Sequence, residues 1–292
     1  MKYSGHESFS IRKDWLAKGL RKIDSVNKDE LSAMDDLGIG KNMVKSLRYW
    51  LKVTGITVDD AKHKIPFGLT DLGKLINDKD PYTEELGTLW LLHYHLAKNI
   101  DNATSWYYFF NEFNITEFTA DDFISSLTKW DEMNNPKPAS ASSISKDFDC
   151  LRRTYLSRLA ENEAVKGEDE GPESNMECPF SELGLIKVVE KGMYRKGVPL
   201  KQDLPALIVL AVIIEQANGA KEIKLSALQN DKNNIGKIFN LDAILMISIL
   251  SELENKELVQ VVRTAGLDVL RIKTNMSFMD CVNLYYEELG NE

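Results

Sequence analysis

Residues 41–53, KNMVKSLRYWLKV, leave the chain little choice of conformation. Gly38 and Gly40 stand before them, Gly55 follows, and Val44, Leu47, Trp50 and Leu51 recur at helical spacing. The segment is predicted as an amphipathic helix entered through a tight turn, where glycine tolerates the backbone that the turn demands. Its second face is charged. Lys41, Lys45, Arg48 and Lys52 are offset by 0, 4, 7 and 11 residues, which at about 100° per residue places all four within roughly 40° of one line. No acid occurs between Lys41 and Lys52.

The neighbouring signals give this helix a place in an arrangement. RKDWLAKGLRKI puts Trp15, Leu16, Leu20 and Ile23 on one helical face, and KDELSAMDDLGI is a second helix ended by Gly38. After Gly55, ITVDDAKHKIPFGLT reads as two short strands around a polar tip, and Thr70 can cap a further helix, DLGKLI. Helix, helix, turn, helix, hairpin is the order of a winged helix-turn-helix domain over residues 1–78, with 41–53 in the recognition position. A solvated face would explain lysines anywhere on a helix; cations without a compensating acid in this position point to phosphates of double-stranded DNA. Lys41, Lys45, Arg48 and Lys52 are therefore the expected backbone contacts. Asn42, Ser46 and Tyr49 flank them and are expected to reach base edges. Arg12, Lys13, Lys18, Arg21 and Lys22 near the first helix, with Lys62, His63 and Lys64 at the wing tip, extend the footprint.

The remainder is predicted to be mainly α. Residues 79–160 read as a helical domain, in which the run Trp106–Phe110 is expected as core rather than as a base-stacking surface. Residues 161–178 read as an acidic linker or loop between two folded halves. From Glu161 to Glu182 there are eight acids and one base, whereas Ile11–Lys28 holds six bases and two acids, so the net charge of -9 conceals strong segregation. Residues 179–292 repeat the winged-helix-like order, but 241–255 carries Asp242, Glu252 and Glu254 and no base. That helix is expected to meet protein, through a partner or a homodimer of the C-terminal domain, because phosphates would repel it.

Several chemistries are disfavoured. Cys150, Cys178 and Cys281 are odd in number and lack metal-finger spacing, which fits reduced thiols. The N-terminus has no secretory apolar region, and ALIVLAVII at 206–214 is too short to cross a bilayer, so a cytoplasmic protein without a membrane partner is expected. His93 and His95 would share a metal only on a strand, and their surroundings favour a helix. KEIK at 221–224 has a Glu-x-Lys element without a convincing acidic partner, and GIGK at 38–41 is too short for a phosphate-binding loop. The paired carboxylates fit helix starts at least as well as a divalent metal. GHESF, with His6, Glu7 and Ser8, is the least ill-suited place for phosphate chemistry; an N-terminal strand packed on the winged helix is the expected reading.

SGHESFSIRKDWLAKGL, LGIGKNMVKSLRYWLKVTGI and FGLTDLGKLI resemble the SspB-like family of bacterial DNA phosphorothioation systems, long labelled a domain of unknown function. LGTLWLLHYHLA, SISKDFDCLRRTYL and CPFSELGLI extend the likeness over most of the chain. The resemblance implies a subunit of a phage-restricting modification system that acts as or assists a DNA nickase before sulfur insertion, with sulfurtransferase and ATPase partners. A divalent metal is the cofactor that such nicking would use. No catalytic motif carries over residue by residue, and the alternative is a non-enzymatic winged-helix regulator or DNA-binding adaptor.

Overall fold

The computed structural model describes residues 1–59, 66–156, 178–264 and 267–290. Two compact units divide the chain, Met1–Gly197 and Val198–Glu292.

In the first unit α1 (Lys13–Arg21) buries Trp15, Leu16 and Leu20, and the short α2 (Ile23–Val26) follows at once. Helix α3 (Glu30–Leu37) starts where the Asp29 carboxylate accepts from the Leu31 and Ser32 amides, both at 3.1 Å. It stops at Gly38, whose φ of 66° suits glycine. Helix α4 (Lys41–Val53) leads into the antiparallel pair β1 (Thr57–Asp59) and β2 (Pro66–Leu69). Thr70 then caps α5 (Asp71–Lys79), accepting from the Gly73 amide at 2.9 Å. Helix α6 (Leu86–Ala97) is apolar all round and buried at nearly every position, as a central helix must be.

Around α6 lie α7 (Thr104–Asn111), β3 (Glu117–Thr119), α8 (Ala120–Asn134), α9 (Ala141–Tyr155), a 3-10 turn at Pro179–Leu183, β4 (Ile186–Glu190) and β5 (Met193–Lys196). Thr119 and Asp122 form a reciprocal capping box at the start of α8. The three strands make one antiparallel sheet in the order β3-β5-β4. Strand β3 lies within the 79–160 region read as a helical domain, and it pairs with β5, which follows the 161–178 stretch in sequence. Apart from Cys178, the acidic stretch 161–178 lies outside the described residues, but α9 before it and β4 after it belong to the same unit. Strand β3 has only three residues, too few for an alternating signal, and its partners lie more than seventy residues away.

The second unit runs α10 (Ala206–Ala217), β6 (Glu222–Lys224), α11 (Leu225–Asn230), α12 (Ile235–Ile238), α13 (Ala243–Asn255), β7 (Val259–Thr264), β8 (Leu267–Ile272) and α14 (Phe278–Leu289). Its sheet has the order β6-β8-β7. Helix, strand, helices, hairpin, with the first strand paired to the last, is therefore built twice, from residues 104–196 and again from 206–272. The registers correspond. Glu117 faces Arg195 in one sheet and Glu222 faces Arg271 in the other, and each arginine binds its glutamate through Nε at 2.8 Å. The Glu-x-Lys element of KEIK is thereby accounted for as a cross-strand ion pair. Among the described residues no single helix is long and apolar enough to cross a membrane.

Candidate nucleic-acid interface

Helix α4 forms where expected, and its basic line has acquired partners that the local sequence does not contain. Lys41 and Asn42 are exposed at its first turn, where Gly40 in extended conformation precedes the helix. The Lys41 ammonium lies 2.9 Å from the Glu30 carboxylate of α3. Hydrogen bonding to Lys41, helped by the fields of Lys41, Lys45 and Arg48, holds Glu30 below the ordinary glutamate range. Arg48 is half-buried and caps the turn between α2 and α3, donating from Nε to the Val26 carbonyl at 2.9 Å and from Nη2 to that of Lys28. Lys45 and Lys52 are half-buried.

Two expected base-reading residues do not reach the surface: Ser46 is completely buried and Tyr49 is 7% exposed. The N-terminal segment covers Tyr49. A Cβ on Gly5 would fall 2.6 Å from the Tyr49 ring, His6 packs edge-on to that ring at 6.3 Å between centroids, and Lys2 lies over it. The neighbouring Trp50 donates from Nε1 to the Phe9 carbonyl at 3.0 Å and meets Trp106 at 5.4 Å. Burial pushes the Tyr49 phenol well above its ordinary value.

The same segment binds α9. His6, wholly buried, places Nε2 2.9 Å from the Asp147 carboxylate and accepts at Nδ1 from the Ser8 amide at 3.1 Å. Asp147 also receives the Ser4 amide at 2.7 Å and the Ser105 hydroxyl at 2.6 Å. GHESF is thus a set of turns, not the expected strand. Ser4, Glu7 and Ser8 all have positive φ, and residues this short of glycine's freedom hold such a backbone only when neighbours determine it. His6 faces inward while Glu7 and Ser8 are exposed, and the segment ties α4 to α9.

The other expected contacts are scattered. Arg12 stacks on Trp15 at 5.0 Å and on Phe9 at 5.9 Å, while Lys13 is the first residue of α1. Lys62, His63 and Lys64 fall outside the described residues. Lys18, Arg21 and Lys22 line a groove on α1. His93 and His95 lie on a helix and face different neighbours: His93 Nδ1 is 2.7 Å from the Tyr155 hydroxyl, whereas His95 presses against Gly55. Burial pulls His95 down to about 3. The Trp106–Phe110 run is buried, and all three thiols are buried and free.

In the second unit the acids of 241–255 serve the fold. Asp242 caps α13 by accepting from the Leu245 amide at 2.7 Å, Glu254 accepts from the Val261 amide at 3.1 Å, and Glu252 lies 3.3 Å from Lys201. The outward line is instead Ile244, Ser248, Ser251 and Asn255, of which Ile244 is 83% exposed and Ser248 half-buried. Each of the carboxylates has a partner within its own unit, and Asp242 remains exposed. Among the described residues, no three His, Cys, Asp or Glu side chains gather as a metal site.

Comparison with known proteins fits this architecture. The chain belongs to the family described as protein of unknown function (DUF4007), whose model matches residues 3–286. It is similar over its whole length to a magnesium ion-bound SspB crystal structure, at a TM-score of 0.84 and 24% identity, covering 89% of that chain. A second SspB crystal structure gives 0.81 and 25% identity, with the same coverage. Among curated proteins nothing matches.

Proposed function

We propose that this chain is the duplex-DNA-binding subunit of a bacterial DNA phosphorothioation and phage-defence system, where it acts as or assists a nickase ahead of sulfur insertion. The observation that carries this reading is the full-length likeness to SspB together with family membership from residue 3 to residue 286. The geometry supports a narrower interface than the sequence suggested. Lys41 and Asn42 are exposed at the N-terminal turn of α4, the part of a recognition helix that reaches bases first. Lys45 and Lys52 stand one and three turns behind them and supply charge to the backbone. The order of elements in 13–69, 104–196 and 206–272 supports reading each as a winged-helix module, of which the first carries the basic helix. Sulfurtransferase and ATPase components are the partners this reading requires, and a cytoplasmic location goes with it.

Magnesium enters only through the solved relative. Mg²⁺ commonly takes one or two protein carboxylates and completes its shell with water and substrate phosphates, so a ligand set would assemble with DNA in place. The test is supercoil relaxation by the purified protein with Mg²⁺ and with chelator, alongside duplex binding at several salt concentrations. Nicking that chelator abolishes, with salt-sensitive binding, is the expected result. Binding with no nicking, alone or with the partner proteins, would replace the nickase by a non-enzymatic adaptor or regulator.

A further inference from the structure

A groove of about 650 Å³ lies on α1 beside the loop at residues 82–84, and no residue of the α4 line is among those that line it. Its volume falls in the range that small-molecule sites occupy. Tyr82 forms one wall and is 53% exposed. The Arg21 guanidinium sits 4.7 Å from the ring centroid, with Nη1 3.4 Å from the phenolic oxygen, so the ring is held in orientation from one side. Lys18 and Lys22 reach along the same face of α1 to the end of α3, donating to the carbonyls of Leu37 at 3.0 Å and Asp36 at 3.1 Å. Each ammonium has three protons to donate, and the helix end engages only one of them in these bonds. Asp14 and Glu84 complete the rim.

We propose that this groove binds an unpaired nucleotide of a single DNA strand, with the base on Tyr82 and the phosphates on Lys18, Arg21 and Lys22. An aromatic platform is useful only to a base outside the duplex stack, because a paired base presents its edge and not its face. The two signs of charge fit the same ligand. Three cations match a phosphodiester, while carboxylates at the rim would repel a bare phosphate but accept from the amino group of a base edge. The groove therefore differs in kind from the α4 surface, which has cations and no open aromatic ring. The proposal depends on the nucleic-acid reading above only for the class of its partner.

The experiment is fluorescence anisotropy on the full chain, with a labelled 12-nucleotide single strand and with the same sequence as duplex. Tyr82→Ala should raise the single-strand dissociation constant about tenfold, as loss of one stacked base does, and leave the duplex constant within about twofold. Tyr82→Phe should keep single-strand affinity, since the ring and not the hydroxyl carries the contact, and Arg21→Ala should lose it. Circular dichroism melting is expected to show all three variants folded, because both side chains lie at the surface. Single-strand affinity unchanged in folded Tyr82→Ala, or lost equally in Tyr82→Phe, overturns the proposal. So does a wild-type protein that binds duplex and no single strand, a result that leaves the duplex reading intact. Single-strand binding without duplex binding supports the groove and removes the duplex reading.

Discussion

Helices α4 and α13 are each thirteen residues long, each follows a shorter helix and precedes a hairpin, and each turns outward a line spaced 0, 4, 7 and 11. The contents differ. In α4 the line is Lys41, Lys45, Arg48 and Lys52; in α13 it is Ile244, Ser248, Ser251 and Asn255. Charge counted along the sequence misplaces both. The α4 cations meet Glu30 and the carbonyls of the α2–α3 turn, so the surface is less basic than the stretch. Of the α13 acids, Glu252 meets a cation, Lys201, while Asp242 and Glu254 accept from backbone amides of their own unit. Helix faces acquire their electrostatic character from what the fold sets opposite them. On α4 the face next to the stripe is also consumed by the N-terminal segment, whereas the exposed line of α13 carries Ile244 almost bare.

The comparison is broken most severely at Asp147. Replacing it by Ala strands the Ser4 amide, the His6 Nε2–H and the Ser105 hydroxyl in a buried site, and unsatisfied groups there cost about 1–3 kcal/mol each. A loss of about 3–5 kcal/mol is expected from denaturant unfolding. Amide exchange should quicken in α4 and α9 and stay unchanged in α13. Uniform exchange along the chain would show that the segment does not hold α4 in particular.

Acid should separate the two regions next. His95 packs behind the end of α4, and its folded value of about 3 lies below the ordinary 6.5. Between these values the unfolded chain binds the extra proton, so stability is complete above about pH 6.5 and falls as pH drops towards 3. The slope is about 1.4 kcal/mol per unit for this one group. All four histidines lie at or before residue 95, so the second unit has none. Melting between pH 7 and 4.5 should show the first unit weakening, and His95→Gln should flatten that dependence. An unaltered profile in the variant would assign the acid sensitivity to carboxylates.

The structure shows why some of this could be read in advance and some could not. Helices α1, α3, α4 and α5 carry periodic apolar faces with Asp29, Gly38 and Thr70 at their ends, and local chemistry of that kind survives folding. The α13 cap by Asp242 was equally local, yet it was taken for surface charge because a capping residue and an exposed acid look alike in sequence. Glu30 is eleven residues from Lys41, Arg195 is seventy-eight from Glu117, and Asp147 is 141 from His6. Pairings over such distances leave no periodic trace. The burial of Tyr49 is illegible for the same reason: what covers it comes from Lys2, Gly5 and His6, and nothing around position 49 announces it.

Glu30 is a sharper probe of α4 than any lysine. Glu30→Gln removes the anion that holds Lys41, so duplex affinity should rise about two- to fivefold. The log-log salt slope should steepen by up to about 0.9 as one more cation meets phosphate. Lys41→Ala should weaken binding and flatten the slope by a similar amount, while Ser251→Ala on α13 should do neither. Equal response from both helices would mean that neither is the contact.

The smallest effect tests burial itself. Ser46 Oγ is buried with no hydrogen-bond partner among the described residues, whereas Ser248 stands in the outward line of α13. Alanine at either site gains the same few tenths of a kcal/mol of helix propensity. At position 46 it also relieves an unsatisfied hydroxyl, so Ser46→Ala should stabilise by about 1 kcal/mol more than Ser248→Ala. The excess is measured as a difference of denaturant midpoints at equal m-value. Duplex affinity should not change in Ser46→Ala, since the hydroxyl never reaches the surface. A several-fold loss of affinity with an unchanged fold would mean that α4 turns this residue towards DNA, and the N-terminal segment would then have to leave Tyr49 as well.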